Sequence, residues 1–452
     1  MNTILAIDIS NSKTVCAIAK NDIAGKINIL GVGIEKSKGI EKGSITNIDL
    51  ASSSIKKSIE SAKSYTTAEI DSVYATISGA FTKEIKSSGT ANVPSGQITK
   101  KEINLVIQTA LTNANIPTDY DTIHSIPLSF KVDDNENIED PLNMIGGRLE
   151  VKINSIIAKK SYLNNIRQAV KSSGHDVDFF VLNSYATAHA LVDELDEEKK
   201  QNGYLIIDIG STSTNASIIK GKSIVSTFFI PVGSENITKD LSIMLNTPSN
   251  IAEAVKIKHG TLINSGESDE RIKFPKGNDD SAMVETSIEY IISIVHARLE
   301  ELLIILRDKI EQKNELGIFK SGIILTGGAC NIRGIRDLCF KIFTDKMVKI
   351  DCPANIRNDF LNFEEPIYAT SIGLIQFALD KSKSYELDSS KKLRAKEPKQ
   401  IPQTARQTQT FHPTQTVEAK PAVANDFNEV KIKKTKNTGF MAKLKELIEG
   451  HL

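Results

Sequence analysis

Apolar residues in this chain come in short, dense runs that end in polar turns. Tyr204, Leu205, Ile206 and Ile207 run straight into Asp208, with Gly203 before them and Gly210 just beyond. Such a run reads as a buried strand with an aspartate at its end. Gly210 and the small hydroxyl residues Ser211, Thr212, Ser213 and Thr214 then form a turn, and 215–219 reads as the return strand. A third strand follows Gly221 and Lys222. The N-terminus repeats the pattern: Ile4, Leu5, Ala6, Ile7 and Asp8, a turn through Ile9, Ser10, Asn11, Ser12, Lys13 and Thr14, a strand over 15–19, then Gly25 and Lys26 before a third strand. The two copies lie roughly 200 residues apart, and an internal repeat decides the architecture before any single element does.

The rest of the pattern fills in around the two hairpins. Asp49 can cap a helix over 49–62, with Ile55, Ile59 and Ala62 on one face. A strand is expected over 73–79. Over 80–158 the texture changes to short strands, a helix over 100–113 and the turns around Pro94, Gly96 and Pro117, so this reads as a small α+β insertion. A helix over 161–173 and a strand over 179–182 resume the earlier pattern. Further helices are expected over 184–195, 236–245, 248–258 and 369–379, with a loop over 196–202 and surface hairpins over 264–280. The longest helix is expected over 281–312, where Ile288, Ile291, Ile292, Val295, Leu299, Leu302, Leu303 and Leu306 recur at helical spacing. A strand over 321–326 ends at Gly327 and Gly328, with a helix to follow.

From 381 to 436 the chain turns to Gln, Thr, Pro, Lys and Ser. That composition buries too little surface to offset the entropy of ordering, so it reads as a disordered tether. It ends in a helical-period segment over 439–449. There Phe440, Met441, Leu444, Leu447 and Ile448 fall in an arc of roughly 120°. Lys443 and Lys445 flank the arc, where they can reach lipid headgroups, and Glu446 and Glu449 lie opposite. The segment is too short to span a bilayer and fits the interface plane of an anionic membrane surface.

Composition narrows the functions. Lys plus Arg equal Asp plus Glu at 56 each, so net charge gives no case for a nucleic-acid partner. The four cysteines, Cys16, Cys330, Cys339 and Cys352, lack Cys-x-x-Cys spacing, which argues against a zinc site. No stretch of ~18 apolar residues spans a membrane, so a cytoplasmic protein with reduced thiols is expected. No Ser/His/Asp set stands out and no nucleophile is assigned.

Small residues at a tight turn let backbone N–H groups face an anion, and a neighbouring carboxylate suits a hydrated Mg²⁺. On its own each hairpin also fits an ordinary polar turn. The repeat selects the ligand reading: Asp8 and Asp208 as Mg²⁺ ligands, with Ser10, Asn11, Ser12, Gly210, Ser211, Thr212 and Ser213 around the phosphates of one nucleotide, and Lys13 either paired with a phosphate oxygen or, equally, a solvated turn lysine. Gly327, Gly328 and Asn331 fit a turn that a flat base or phosphate can approach. Glu253 and Lys256, one turn apart on a helix, fit a ribose and adenine edge or, equally, an i,i+3 ion pair.

Paired phosphate hairpins of this kind resemble the actin, hexokinase and heat-shock chaperone superfamily. The stretch Asp8-Ile9-Ser10-Asn11-Ser12-Lys13, the run from Ala252 to Gly260, the motif Leu325-Thr326-Gly327-Gly328-Ala329 and the run from Tyr368 to Leu374 together resemble FtsA, the actin-like bacterial cell-division family. The resemblance covers essentially the whole chain. It implies an α/β, actin-like two-lobed fold with duplicated phosphate hairpins, a small α+β insertion and a tether ending in an amphipathic helix. The implied parts are subdomain 1A over 1–79 and 161–199, the inserted subdomain 1C over 80–160, 2A over 200–233 and 307–356, 2B over 234–306, a closing segment over 357–380, a linker over 381–437 and a membrane helix over 438–452. It implies ATP with Mg²⁺ between the lobes, actin-like filaments, and anchoring of the FtsZ ring to the inner face of the cytoplasmic membrane at the division site, with later divisome proteins as further partners. It places a contact to the FtsZ C-terminal tail at Arg298, which equally fits a helix-surface ion pair with Glu301. Ser10, Ser211 and Thr212 depart from the glycines usual in the family, and Asn215 from a common Asp. Asn183 and Ser184 stand where hydrolytic relatives carry a Glu or Gln, which implies at most slow ATP hydrolysis. The rival readings are a small-molecule kinase of the same superfamily and an FtsA-like inner-membrane assembly protein of type IV pili.

Overall fold

The computed structural model describes residues 2–23, 25–192, 195–263, 271–276, 279–353, 360, 363–379 and 385–394. Two five-stranded sheets carry the repeat. The first runs Phe179–Leu182, Ser72–Ile77, Thr3–Ile9, Lys13–Asn21, Ile27–Lys36; the second runs Val348–Ile350, Gly322–Thr326, Tyr204–Ile209, Thr214–Lys220, Ser223–Ile230. In each, three strands form an antiparallel meander and two more join the first of them in parallel. The wiring is the same in both, so the two hairpins end alike: Asp8 stands opposite Val15, and Asp208 opposite Asn215. The central strands are buried because helices cover their faces, which is why their sequences are nearly unbroken apolar runs.

Helix Ile48–Lys63 can lie close on the first sheet because Gly33 has no side chain. A Cβ there would collide with the carbonyl oxygen of Ser58, whose hydroxyl instead donates to the Gly33 carbonyl at 2.8 Å. Helices Asn183–Val192 and Ala369–Leu379 pack together in the core of this first lobe, with Gly373 against the carbonyl of Ala186. Around the second sheet the long helix Ile288–Gln312 buries Ile291, Val295, Leu299, Leu302, Leu303, Leu306 and Ile310 in a core of its own. Burial of each contributes ~1.5–3 kcal/mol.

A third sheet interrupts the first lobe. Its main path is Leu393–Arg394, Glu386–Leu387, Tyr120–Val132, Arg148–Lys159, Thr82–Asn92, and Asn135–Ile138 pairs beside Tyr120–Val132. Helix Lys100–Asn113 lies on it, opened by a capping box between Thr99 and Glu102. Ile103, Val106, Ile107 and Ala110 meet Phe130, Val151 and Ile153 in a separate small core.

Several expected elements differ. The long helix begins at Ile288, because Asp279–Ser287 pairs with Arg271–Lys276 as a hairpin and the Ser287 hydroxyl accepts from the Tyr290 N–H as N-cap. The cap of the first helix is Asn47, which accepts from the Leu50 N–H; Asp49 lies in the first turn. The expected loop over 196–202 contains a short helix, Glu197–Asn202, capped by Asp196. The turn after Gly327 is a 3-10 turn, Gly328–Asn331, rather than an α-helix. The expected tether starts too early: Glu386–Leu387 and Leu393–Arg394 are strands of the third sheet, and Leu387 is fully buried. The amphipathic segment with Phe440, Met441, Lys443, Leu444, Lys445, Leu447 and Ile448 lies outside the described residues. Among the described residues no helix is long and apolar enough to cross a membrane.

Candidate functional site

The two hairpin turns face each other across a cleft of about 470 Å³. Both turns close in the same way, with Ser10 N–H donating to the Lys13 carbonyl at 3.2 Å and Gly210 N–H donating to the Ser213 carbonyl at 3.0 Å. They touch: the Asn11 amide donates to the Thr212 hydroxyl across the cleft, and the Asn11 carbonyl oxygen accepts from the Gly43 N–H at 3.0 Å. All fifteen residues that the sequence marks for a nucleotide line this cleft: Asp8, Ser10, Asn11, Ser12, Lys13, Asp208, Gly210, Ser211, Thr212, Ser213, Glu253, Lys256, Gly327, Gly328 and Asn331.

The aspartates are held by hydroxyls. Thr76 donates to Asp8 Oδ1 at 3.2 Å and Ser371 to Asp8 Oδ2 at 2.6 Å. Thr370, the neighbour of Ser371 on the closing helix, reaches over to Asp208 Oδ2 at 3.4 Å. One helical turn therefore touches both carboxylates. Burial raises the Asp8 carboxyl above its ordinary range, with Ser371, Lys13 and Thr76 pulling it back. Asp208 is pushed up to about 6 by burial and by facing Asp8, against Thr370 and Lys13. Lys13 is lowered by burial and supported by Asp8, Glu365 and Asp208; its ammonium sits 4.0 Å from the centre of the Tyr368 ring. A buried and a half-buried carboxylate facing one cavity and short of positive charge favour a cation between them.

The residues fit Mg²⁺. Asn215 Oδ1 is buried beside Asp208 and has no hydrogen-bond partner, and a buried polar atom of that kind calls for water or an ion. Among the described residues no group of three or more His, Cys, Asp or Glu converges, so the protein offers no closed metal cage. One or two carboxylates, with water and phosphate oxygens completing the shell, is how Mg²⁺ is ordinarily held.

Gly327 shows why its position lacks a side chain. Its φ is +89°, and a Cβ would run into Asp208 Oδ1 and the Ile209 carbonyl. Across the cleft Lys256 pairs with Glu253 at 2.7 Å and donates to Thr238 Oγ1 at 2.8 Å. Both members line the cleft and the ion pair also exists. The sequence reading missed the apolar wall of Ile257, Ile332 and Ile367, and the hydroxyl of Thr370. Only the exposure of Ile257, at 75 %, is unusual for an isoleucine, and nothing in the sequence signals it. Asn183 lines the cleft, but its Oδ1 accepts from the Ser184 N–H at 2.8 Å; Ser184 is buried and does not line the cleft.

Arg298 lies elsewhere, on the long helix. Its guanidinium grips Asp240 with two bonds of 2.6 and 2.8 Å and meets Glu301 at 2.5 Å. The bond to Asp240 above all raises its already high pKa.

Comparison with known proteins places the chain. The family profile described as cell division protein FtsA matches residues 205–373, and that of the SHS2 domain inserted in FtsA matches 79–157. The cell division protein FtsA of Helicobacter pylori is 30 % identical over 452 aligned residues, covering 93 % of this chain and 90 % of the relative. That of Pseudomonas aeruginosa is 28 % identical, covering 84 % and 89 %. Among solved structures, a PilM–PilN type IV pilus biogenesis complex matches with TM-score 0.60 at 15 % identity, covering 83 % of this chain and 98 % of that one. MreB5 of Spiroplasma citri bound to ADP matches with TM-score 0.51 at 14 % identity, covering 82 % and 95 %. At those identities the structures speak for an actin-like fold alone. The sequence relatives, similar across most of both chains, say more: this chain belongs to the FtsA family of cell division proteins.

Proposed function

We propose that the cleft binds ATP with Mg²⁺, and that the nucleotide acts as a structural ligand and assembly switch rather than as a rapidly consumed substrate. The carrying observation is that two like hairpins bring Asp8 and Asp208 to one cavity between two sheets of the same wiring. Asp8 and Asp208 hold the hydration shell of the cation, the turn N–H groups and Lys13 take the phosphates, Glu253 and Lys256 reach the ribose, and Ile257, Ile332 and Ile367 cover the base. The cation, when bound, neutralises phosphate charge. Family membership and the ADP carried by the MreB5 structure support this reading. Asn183, where hydrolytic relatives carry a Glu or Gln, is tied to its own helix through the Ser184 N–H, which supports slow turnover.

In the cell this protein polymerises into actin-like filaments and joins the C-terminal tail of FtsZ to the inner face of the cytoplasmic membrane at the division site, where later divisome proteins also bind. The FtsZ contact falls on the face that carries Arg298, and the terminal amphipathic segment supplies the membrane contact. The test is calorimetry of ATP with and without Mg²⁺ for the intact protein and for Asp208→Ala. The variant should lose at least about tenfold in Mg²⁺-dependent affinity. Equal affinity would sink the two-hairpin reading.

A further inference from the structure

The stretch 385–394, after the closing helix and its connection, puts its first four residues into the core although its surroundings in sequence have a linker's composition. Tyr385, Glu386, Leu387 and Asp388 are all buried. Glu386 is 0 % exposed, and a carboxylate at that depth is costly unless several groups hold it. The Tyr185 hydroxyl donates to it at 2.7 Å, and Arg394 Nε lies 3.6 Å away. His124 faces it at 3.8 Å through Nδ1, the nitrogen that carries the proton because Nε2 accepts from the Leu182 N–H at 3.1 Å. Arg394 closes the ring: its guanidinium lies 3.7 Å over Phe377 and donates to the Phe377 carbonyl. Ser389 and Tyr385 fasten the same segment to Phe180 and Asp140.

The groups around Glu386 come from three places: the inserted sheet through His124, helix Asn183–Val192 through Tyr185, and helix Ala369–Leu379 through Phe377. The two helices both start at the cleft. Asn183 lines it, and Thr370 and Ser371 hold the two aspartates. They are joined near that end by Thr187 and Thr370 at 2.8 Å and by the seat of Gly373 on Ala186. From Ser371 to Phe377 is about 9 Å of helix. Almost every residue of both helices is buried, and packed interiors pass displacement on rather than absorb it.

We propose that the strand pair Glu386–Leu387 and Leu393–Arg394 is a latch that couples the root of the C-terminal tail to the cleft through these two helices. Glu386 is the positioning residue of the latch. The inference rests on the reading of the cleft as a nucleotide site. A ligand that fixes Asp8 and Asp208 also fixes the first turn of the closing helix, and to open the latch Arg394 must leave the last turn of that same helix. By reciprocity, if the nucleotide holds the latch closed, opening the latch weakens nucleotide binding by the same free energy.

Hydrogen exchange on the full chain, with and without Mg²⁺–ATP, tests this. The amides of 385–394 should exchange about tenfold more slowly with the nucleotide, relative to the hairpin Arg271–Ser287, and the difference should vanish in Glu386→Gln. The comparison on the unaltered chain stands whether or not the variant folds. If calorimetry shows ATP bound while exchange at 385–394 is unchanged, the latch is refuted and the cleft reading survives. If ATP does not bind at all, the cleft reading fails and the latch falls with it.

Discussion

Asp208 sets the pH behaviour of the empty cleft. Its carboxyl is pushed up to about 6 in the folded protein, above its value in an unfolded chain, by burial and by Asp8. A raised acid stabilises the fold while it is protonated, at low pH, and that contribution is lost as pH rises through about 6. In chelator and without nucleotide, Asp208→Asn should therefore raise Tm at pH 7.5, and the gain should shrink toward pH 5. The size is at most about 2 kcal/mol, reduced because the cleft is open to water. Equal melting of the two proteins at pH 7.5 would mean that the aspartates are not charged against each other. The cleft residues of the two hairpins were legible because the motif occurs twice, and each copy supports the other; Glu253, Lys256, Gly327, Gly328 and Asn331 were legible only from helix spacing and a glycine turn. Thr370 and Ile367 were not, since Thr370 meets Asp208 over a separation of 162 residues and no local pattern encodes such a meeting.

Elements were legible where periodicity and capping agree, as in Lys100–Asn113 with its Thr99 and Glu102 box. They were misread where an apolar pattern continued through a change of structure. Met283, Val284 and Thr286 belong to a strand, and the break into helix is made by a single hydroxyl at Ser287. The tail's first strands were missed for the opposite reason: Glu386 and Arg394 read as polar linker, yet Glu386 is buried against the Tyr185 hydroxyl and Arg394, and Arg394 is half-buried on the Phe377 ring and carbonyl. The long helix offers an energetic check. Leu303 is 0 % exposed in the second core, so Leu303→Ala should cost ~2–5 kcal/mol in a denaturant melt. Glu311→Ala, on the exposed face, should stay within ~0.5 kcal/mol. Similar losses for both would mean that the helix is held by something other than its buried stripe.

At the scale of the whole molecule, the amphipathic terminus should be a weak anchor taken singly. Five apolar side chains gain ~1.5–3 kcal/mol each on burial, less the cost of ordering a short helix. Lys431, Lys433, Lys434 and Lys436 would add ~1 kcal/mol each at an anionic surface, partly offset by Asp426 and Glu429. Filament formation would multiply such contacts into firm attachment. Removal of 438–452, or Phe440→Glu, should release the protein from anionic vesicles in co-sedimentation while ATP binding is unchanged. Continued pelleting of the truncated chain would place the membrane contact elsewhere.

The closing helix also has a consequence for how the chain folds during synthesis. The second sheet and the long helix lie within one continuous stretch, 204–350. The first lobe holds the earliest residues, but its core includes Ile372, Leu374, Ile375 and Phe377, and Asp8 waits for Ser371 across 363 positions. Closing so long a loop is slow, and contacts of high sequence separation form late. The lobe that holds the earliest residues thus cannot complete its core until the closing helix has been made, whereas the second core needs nothing beyond 350.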